Sequence, residues 1–382
     1  MVLVVLGYVL LIATLGYSLV ACCVAFAWRR RAPGWRDGTE PVSLLKPLCG
    51  AEPGLHERLR SFCVQDHPAV QLVFGVNDPH DPALRVVARL RREFPALDIA
   101  VVVAGGQGGG NPKVANLRNM LSAARYPRLI LSDSDVRVSP DYARTVSAPL
   151  GDARVGLVTC LYRAAPQRGL WSRLGADFIN GWFIPSALLE WRLGQSAPAF
   201  GATMAMRRET LDAIGGFGAV AGYLADDYVL GQRVAERGLR CVLSPCVVET
   251  AVAEDDAVAL WRHELRWMRT FRSLRPLGHT LVPLSLGLPL MLAGLLLAGL
   301  TAPAVTLCAA AVLARASLPL ALQHLFPERE WQGFARSWPL LMPLRDAFSL
   351  AVWCTSMLTR TVYWRGHRYT VRPGGKLTQS LR

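Results

Sequence analysis

From Val2 to Trp28 the chain carries no charged residue, and no other stretch restricts its fold as strongly. At about 1.5 Å per residue, a helix of this length exceeds the hydrocarbon core of a bilayer, about 30 Å thick. A transmembrane helix is the expected form. A cleaved signal peptide fits poorly, because the positive charges Arg29-Arg30-Arg31 follow the apolar run and do not precede it. By the positive-inside rule these arginines stay in the cytoplasm, which leaves the N-terminus outside and everything from Ala32 onward inside.

A second uncharged run extends from Leu281 to Ala314. It is too long for one upright helix, and Thr301-Ala302-Pro303 supplies a break, so two spans joined by a tight turn are expected. Arg315, Arg329, Arg336 and Arg345 then return to the cytoplasmic side. Ala347 to Trp364 carries Arg360 and reads either as a helix lying in the interface or as a further span. A chain of 382 residues that is 52% hydrophobic and 18% charged is too apolar for an ordinary soluble enzyme, which agrees with membrane segments at both ends. The net charge of +14 invites a nucleic-acid partner. Many of the arginines flank apolar segments, however, where anionic headgroups account for them, and zinc-finger spacing and aromatic RNA-binding signatures are both lacking. No nucleic acid is expected. The nine cysteines contain no Cys-x-x-Cys pair, so neither a zinc site nor a disulfide framework is indicated.

Between Val42 and Thr250, β-rich runs (42–46, 70–76, 99–103, 129–131 and 155–161) alternate with helical patterns. That alternation implies an α/β domain with a largely parallel sheet and crossover helices, whose ligands bind where strands run out into loops. The expected organisation is an N-terminal transmembrane helix (1–28), a cytosolic α/β domain (36–278), transmembrane or interfacial helices (281–364) and a basic tail (365–382).

Polar residues cluster at the strand ends: Lys46-Pro47, Asn77-Asp78-Pro79, the glycine-rich loop Gly105 to Lys113, and Asp133-Ser134-Asp135. The glycine loop lacks the spacing of a Walker loop or dinucleotide fingerprint and reads as flexibility. Asp133 and Asp135, two apart at a strand end, can turn toward one hard cation whose remaining positions hold diphosphate oxygens; an acidic turn bonding its own backbone is the alternative. Lys113 and Asn116 open a helix expected over 113–124, where backbone donors and a cation favour an anion. Asp226 and Asp227 precede a helical run: one can cap it, and the other is left over as a possible general base. On the helix expected over 258–272, Arg262, Arg266 and Arg269 fall at spacings of four and three, placing three guanidinium groups along one face beside Trp267. This suits either a diphosphate or an interfacial anchor. Between these motifs, Trp171, Phe178, Trp182, Phe183, Ile184, Leu188 and Trp191 suit an apolar channel for a lipid, and some must be core.

Taken in order, Val42-Ser-Leu-Leu-Lys-Pro-Leu48, Asn77-Asp78, Asn111-Pro-Lys113, Asp133-Ser-Asp135, Ala225-Asp-Asp-Tyr228 and Arg266-Trp267 resemble the ceramide glucosyltransferase-like branch of membrane glycosyltransferases with a GT-A fold. The tail Trp364-Arg-Gly-His-Arg-Tyr369 is similar to that family's C-terminal signature. Within the family, Leu157-Val-Thr-Cys-Leu-Tyr-Arg163, Leu224-Ala-Asp-Asp-Tyr228 and Arg262-His-Glu-Leu-Arg-Trp267 resemble the bacterial hopanoid-associated branch. The resemblance implies a GT-A domain with a Rossmann-like mixed sheet, flanked by membrane helices, in a bacterial inner membrane with the catalytic domain in the cytoplasm. It implies that Lys46, Asp78, Lys113, Asn116, Asp133 and Arg266 bind the nucleotide sugar, Asp78 at the base. Asp133 and Asp135 are implied to hold Mg²⁺ or Mn²⁺ on UDP, and Asp227 to be the base of an inverting transfer. His263, Arg266 and Trp267 are expected around the diphosphate and acceptor, although the family has Gln or Arg where this chain has His263. The implied donor is UDP-N-acetylglucosamine and the implied acceptor a hopanoid polyol. Glucosylation of ceramide, a processive polysaccharide synthase and a noncatalytic scaffold are the alternatives.

Overall fold

The computed structural model describes residues 1–28, 35, 38–105, 110–194, 199–364 and 367–379. Arg29-Arg30-Arg31 and the middle of the glycine loop, 106–109, lie outside the described residues, as do 365–366 and 380–382 of the expected tail.

The eight-stranded sheet has the order β3-β2-β1-β4-β7-β6-β8-β5, with β1 Val42–Pro47, β2 Val70–Val76, β3 Asp98–Val103, β4 Arg128–Ser132, β5 Val136–Arg137, β6 Val155–Pro166, β7 Thr203–Arg207 and β8 Arg240–Val252. Strands β3, β2, β1 and β4 are mutually parallel, and β6 is parallel to β8. β7 runs antiparallel to both β4 and β6, and β5 antiparallel to β8, so the sheet is mixed. The first half shows why it forms: β1 is buried along its whole length and β2 nearly so. Near-continuous apolar strands of this kind need cover on both faces. One face packs around Leu44, Phe62, Phe74 and Tyr142, the other around Leu45, Leu117, Met204 and Leu230.

The N-terminal helix Val2–Ala27 and the segment Ala302–Leu325 are long and apolar enough to cross a membrane. The break near Thr301 occurs as expected, since a new helix starts at Ala302. A second break at Gly287 was not legible: Pro276–Leu286 and Leu288–Leu297 meet at 74°. Gly287 has φ +66, and a Cβ there would lie 2.5 Å from Arg315 Cδ, so both backbone conformation and space require glycine. The amide of Leu288, freed by the bend, donates to Asp346 Oδ2 at 3.1 Å.

The expected helix over 347–364 is corrected. A single helix runs from Glu328 to Leu358, and Thr361–Trp364 is instead strand β9. It pairs with β10 His367–Val371, which pairs with β11 Leu377–Gln379, so the expected basic tail supplies two strands of a three-stranded antiparallel sheet.

Arg315 and Arg345 also depart from expectation. Neither is a flanking charge exposed to headgroups: they are 4% and 2% exposed. Arg315 forms two hydrogen bonds to Asp346, at 2.8 and 2.5 Å, and Arg345 grips Glu264 at 2.7 and 2.6 Å while donating to Leu174 O. The second pair fastens the long C-terminal helix to the helix Ala257–Leu274. Burial raises the Glu264 carboxyl to about 7, against the opposing charge of Arg345. Removing one member of such a pair leaves the other desolvated and unpaired. Arg345→Met is therefore expected to cost about 3–5 kcal/mol. The double variant Arg345→Met/Glu264→Leu should recover much of that loss, as read by thermal unfolding in detergent.

Candidate active site

A cavity of about 880 Å³ opens where β4, β6 and β8 meet the helix Ala257–Leu274, within the usual range for small-molecule sites. Lys113, Asp133, Asp135, Asp226 and Asp227 line its charged end. Tyr162, Phe178, Ile179, Phe200 and Leu260 contribute apolar wall, and Glu254, His263, Arg266, Trp267 and Trp364 complete it.

Both aspartates of the Asp-Ser-Asp turn are anchored. The turn joins β4 to β5, and because Val136 of β5 pairs with Thr250 of β8, Asp135 is drawn to that strand: its Oδ2 accepts from Thr250 Oγ1 at 2.8 Å, and its carbonyl from Ala251 N at 3.1 Å. Asp133 Oδ1 lies 2.6 Å from Lys113 Nζ. Burial raises the Asp135 carboxyl, and the charge of Asp133 raises it further. Thr250 and Lys46 oppose the rise.

Lys113 stands in the first turn of the helix Pro112–Met120, shorter than the expected 113–124. Asn111 caps that turn, its Oδ1 accepting from the amides of Lys113 and Val114. Its Nδ2 donates to Asp226 Oδ1 and to Tyr223 O, both at 3.1 Å. One asparagine thus ties the lysine helix to the Asp226-Asp227 turn. Burial pulls the Lys113 ammonium down, but Asp133, Asp226 and Asp227 outweigh it and hold the group above its ordinary value. Asp226 is 5% exposed, and its Oδ2 accepts no hydrogen bond although Lys113 Nζ lies 3.8 Å away.

Neither Asp226 nor Asp227 makes the usual side-chain cap of the helix Asp226–Glu236. Asp227 Oδ2 instead accepts from Gly201 N at 2.8 Å, and its Oδ1 from Tyr228 N at 2.8 Å. Burial, then the neighbouring charge of Asp226, pushes the Asp227 carboxyl up to about 6. Gly201 is where the charges converge: a Cβ there would lie 3.2 Å from Asp227 Oδ2, 3.3 Å from Lys113 Nζ and 3.4 Å from Asp133 Oδ2. A side chain would intrude on all three.

Several expected site residues lie elsewhere. Lys46 is fully buried, its Nζ donating to Ser132 Oγ and to the Asp133 carbonyl and sitting 3.8 Å over the Phe62 ring. It braces the aspartate turn from behind, and burial lowers its ammonium to about 7. Asn116 is buried against β2, donating to Gly75 O at 2.8 Å, and is not part of the cavity lining. Asp78 is exposed past the end of β2, where its Oδ1 accepts from His80 N, and it too is outside the lining. Of the three arginines expected along one face, only Arg266 lines the cavity. Arg262 is exposed, and Arg269 is buried with its guanidinium donating to Thr361 O of β9.

His263, expected around the diphosphate and acceptor, instead engages a carboxylate. Its Nδ1 meets Glu254 Oε1, and its ring packs edge-on against Trp267 with centroids 4.7 Å apart. Burial raises the Glu254 carboxyl, but His263 and its hydrogen bond outweigh this and hold the group below its ordinary value. Of the aromatic segment, Phe178, Ile184 and Leu188 are core, Phe178 stacks on Trp182 at 4.6 Å, and Trp182 donates to Ser285 at 2.6 Å. Phe178 also lines the cavity, so the apolar wall is continuous with the packing against the membrane-side helices.

Asn111, Gly201 and Glu254 were missed as site residues. Asn before Pro at a helix start was a legible cap signal; for the other two the sequence holds none.

A sequence profile described as Glycosyl transferase family 21 matches residues 6–377. Ceramide glucosyltransferase 3 of Caenorhabditis elegans is 24% identical over 385 residues, covering 96% of this chain and 82% of the relative. Ceramide glucosyltransferase 1 of the same organism is 26% identical over 242 residues, 63% of this chain and 52% of the relative. Among solved structures, the mannosyltransferase PcManGT from Pyrobaculum calidifontis, in complex with GDP-Man and Mn²⁺, superposes with a TM-score of 0.52 at 22% identity, covering 93% of this chain and 99% of that one.

Proposed function

The chain belongs to glycosyl transferase family 21 and is a glycosyltransferase with a GT-A-type fold, and from that premise we propose an inverting, metal-dependent transfer of N-acetylglucosamine from UDP to a hydroxyl of a membrane hopanoid polyol. The observation that carries this reading is the Asp227 carboxylate. It is poised near 6 in a cavity with the Asp133-Ser-Asp135 turn at one end and an apolar wall leading to membrane-side helices.

The residues present fit a hard divalent cation. Asp133 and Asp135 supply carboxylate oxygens as ligands, Asp135 raised by burial and by the charge of Asp133, and a nearby buried carboxylate oxygen, Asp226 Oδ2, accepts no hydrogen bond. Donor diphosphate oxygens would complete the coordination. Asp133 and Asp135 would hold Mg²⁺ or Mn²⁺, and the bound cation would neutralise negative charge on the departing diphosphate. Arg266 shares that task by donating to the leaving group.

Asp227 accepts the proton of the acceptor hydroxyl, the freed oxygen forms the new bond to the anomeric carbon, and the bond from that carbon to the diphosphate oxygen breaks in the same displacement. Gly201 N–H holds the carboxylate in place. The hopanoid reading draws support from the segments 157–163 and 224–228, which contribute Tyr162, Leu224, Ala225, Asp226 and Asp227 to the cavity. The chain is anchored by the helix Val2–Ala27 and the helices after Leu274, with residues 36–278 in the cytoplasm of a bacterial inner membrane.

Glucosylation of ceramide is the second reading, favoured by the names of the similar proteins. Membranes from cells expressing the chain, supplied with labelled UDP-N-acetylglucosamine or UDP-glucose and with hopanoid or ceramide, decide between them. Label in a hopanoid from the N-acetylglucosamine donor is the expected result. Label in ceramide from UDP-glucose selects the second reading, and label in long water-soluble polymer overturns both.

A further inference from the structure

The C-terminal motif Trp364-Arg-Gly-His-Arg-Tyr369 has no part in the transfer chemistry above, yet its strands are fastened to the catalytic loop. Leu377 N of β11 donates to Gly222 O at 2.7 Å, and Leu224 N donates to Gly375 O at 3.3 Å. Tyr223 and Lys376 form an antiparallel bridge. Residues 222–224 lead directly into Ala225-Asp226-Asp227. On its other side the arginine helix holds the sheet and the turn that leads into it: Arg269 donates to Thr361 O of β9, and Arg272 to Ser356 O at the end of the long helix and, at 3.1 Å, to Thr359 O. Leu224, Val362, Tyr369 and Val371 form a small core of their own, with Trp364 and Leu377 packed against it. Trp364, at the end of β9, also lines the cavity, as do Phe271 and Leu274 of the arginine helix.

We infer that this terminal sheet completes the active site: it holds the loop that delivers Asp227, and Trp364 forms an aromatic wall against the apolar body of the acceptor lipid. The inference rests on the transfer reading above. The acceptor is favoured over the donor as the occupant because of position. Trp364 packs against the small core that contains Leu224, three residues before the carboxylate that must meet the acceptor hydroxyl, whereas the Asp133-Ser-Asp135 turn and Lys113 come from other elements. An indole suits such a place, since it buries a large flat apolar area beside a polar reacting group.

The test compares Trp364→Ala, Trp364→Phe and Leu377→Pro in the full-length enzyme in detergent, by steady-state kinetics of transfer to the lipid that accepts label in the membrane assay. Trp364→Ala should raise the acceptor KM about tenfold, the scale of losing one buried aromatic contact. The donor KM should stay in place, and Trp364→Phe should recover most of the loss. Leu377→Pro removes the amide that Gly222 O accepts while sparing Trp364, so it should lower kcat for transfer and leave the acceptor KM in place. An unchanged acceptor KM in Trp364→Ala, or a raised donor KM, overturns the aromatic wall. An unchanged kcat in Leu377→Pro overturns the holding role. If the wild-type enzyme labels no lipid, the transfer reading itself falls.

Discussion

Replacing Asp227 with Asn is expected to lower turnover by a factor of about 10³, the scale of losing a general base, while UDP-sugar binding stays intact. The substitution keeps shape and most contacts: the amide oxygen can still accept from Gly201 N, which now bonds Asp227 Oδ2 at 2.8 Å. What it loses is the basic lone pair. The same assignment fixes the sign of the pH dependence. A base works ionised, and burial with the charge of Asp226 raises this carboxyl to about 6. Turnover in the wild-type enzyme should therefore fall as pH drops through about 6 and level off above it. In Asp227→Asn that acid limb should vanish from the residual rate. Steady-state kinetics across pH, paired with calorimetric titration of UDP-sugar, measure both. A variant with full turnover would remove Asp227 from the chemistry and return the chain to a scaffold reading.

The double variant Asp133→Ala/Asp135→Ala should lose transfer by at least about 10²–10³, the range seen when charge-stabilising groups are removed from a leaving-group site. It should also lose Mn²⁺-dependent binding of UDP, a readout independent of turnover. In the wild-type enzyme, chelation should abolish transfer and added Mg²⁺ or Mn²⁺ restore it. The two single variants should differ in their side effects. The Asp135 carboxylate accepts from Thr250 Oγ1 of β8, so its loss removes that bond and leaves the one from Ala251 N to the backbone carbonyl in place. Asp133 is tied to Lys113, and its loss leaves that buried ammonium with Asp226 3.8 Å away. Undiminished transfer by metal-free enzyme would end the metal reading.

Placement that depends on neighbours in sequence was legible. Asp133 and Asp135 follow an apolar strand, and a helix starts one residue from the expected Lys113, because strand exit and helix start are decided within a few residues. Residues whose role depends on distant partners were misjudged. Arg262, Arg266 and Arg269 follow a helical spacing, but which of them meets the cavity is set by β9, some ninety positions away, which engages Arg269. Lys46, at the end of a strand and within a motif of the family resemblance, is expected at the nucleotide sugar. In the fold it is sealed between β4 and Phe62, bracing the turn it was expected to work beside. The partner of His263, Glu254, lies nine residues earlier in the loop after β8.

Apolar length and strand–helix alternation determined on their own that helices long and apolar enough to cross a membrane flank an α/β fold, since burial of backbone and apolar side chains depends on local pattern. Contact between remote segments decided the rest. The meeting of Gly201, Lys113, Asp133 and Asp227, the bend at Gly287 around the Arg315 side chain and the closure of the terminal strands over residues 222–224 all join positions far apart in the chain. Such contacts answer to close packing and to the pairing of buried charge, and neither leaves a periodicity that a linear sequence can display.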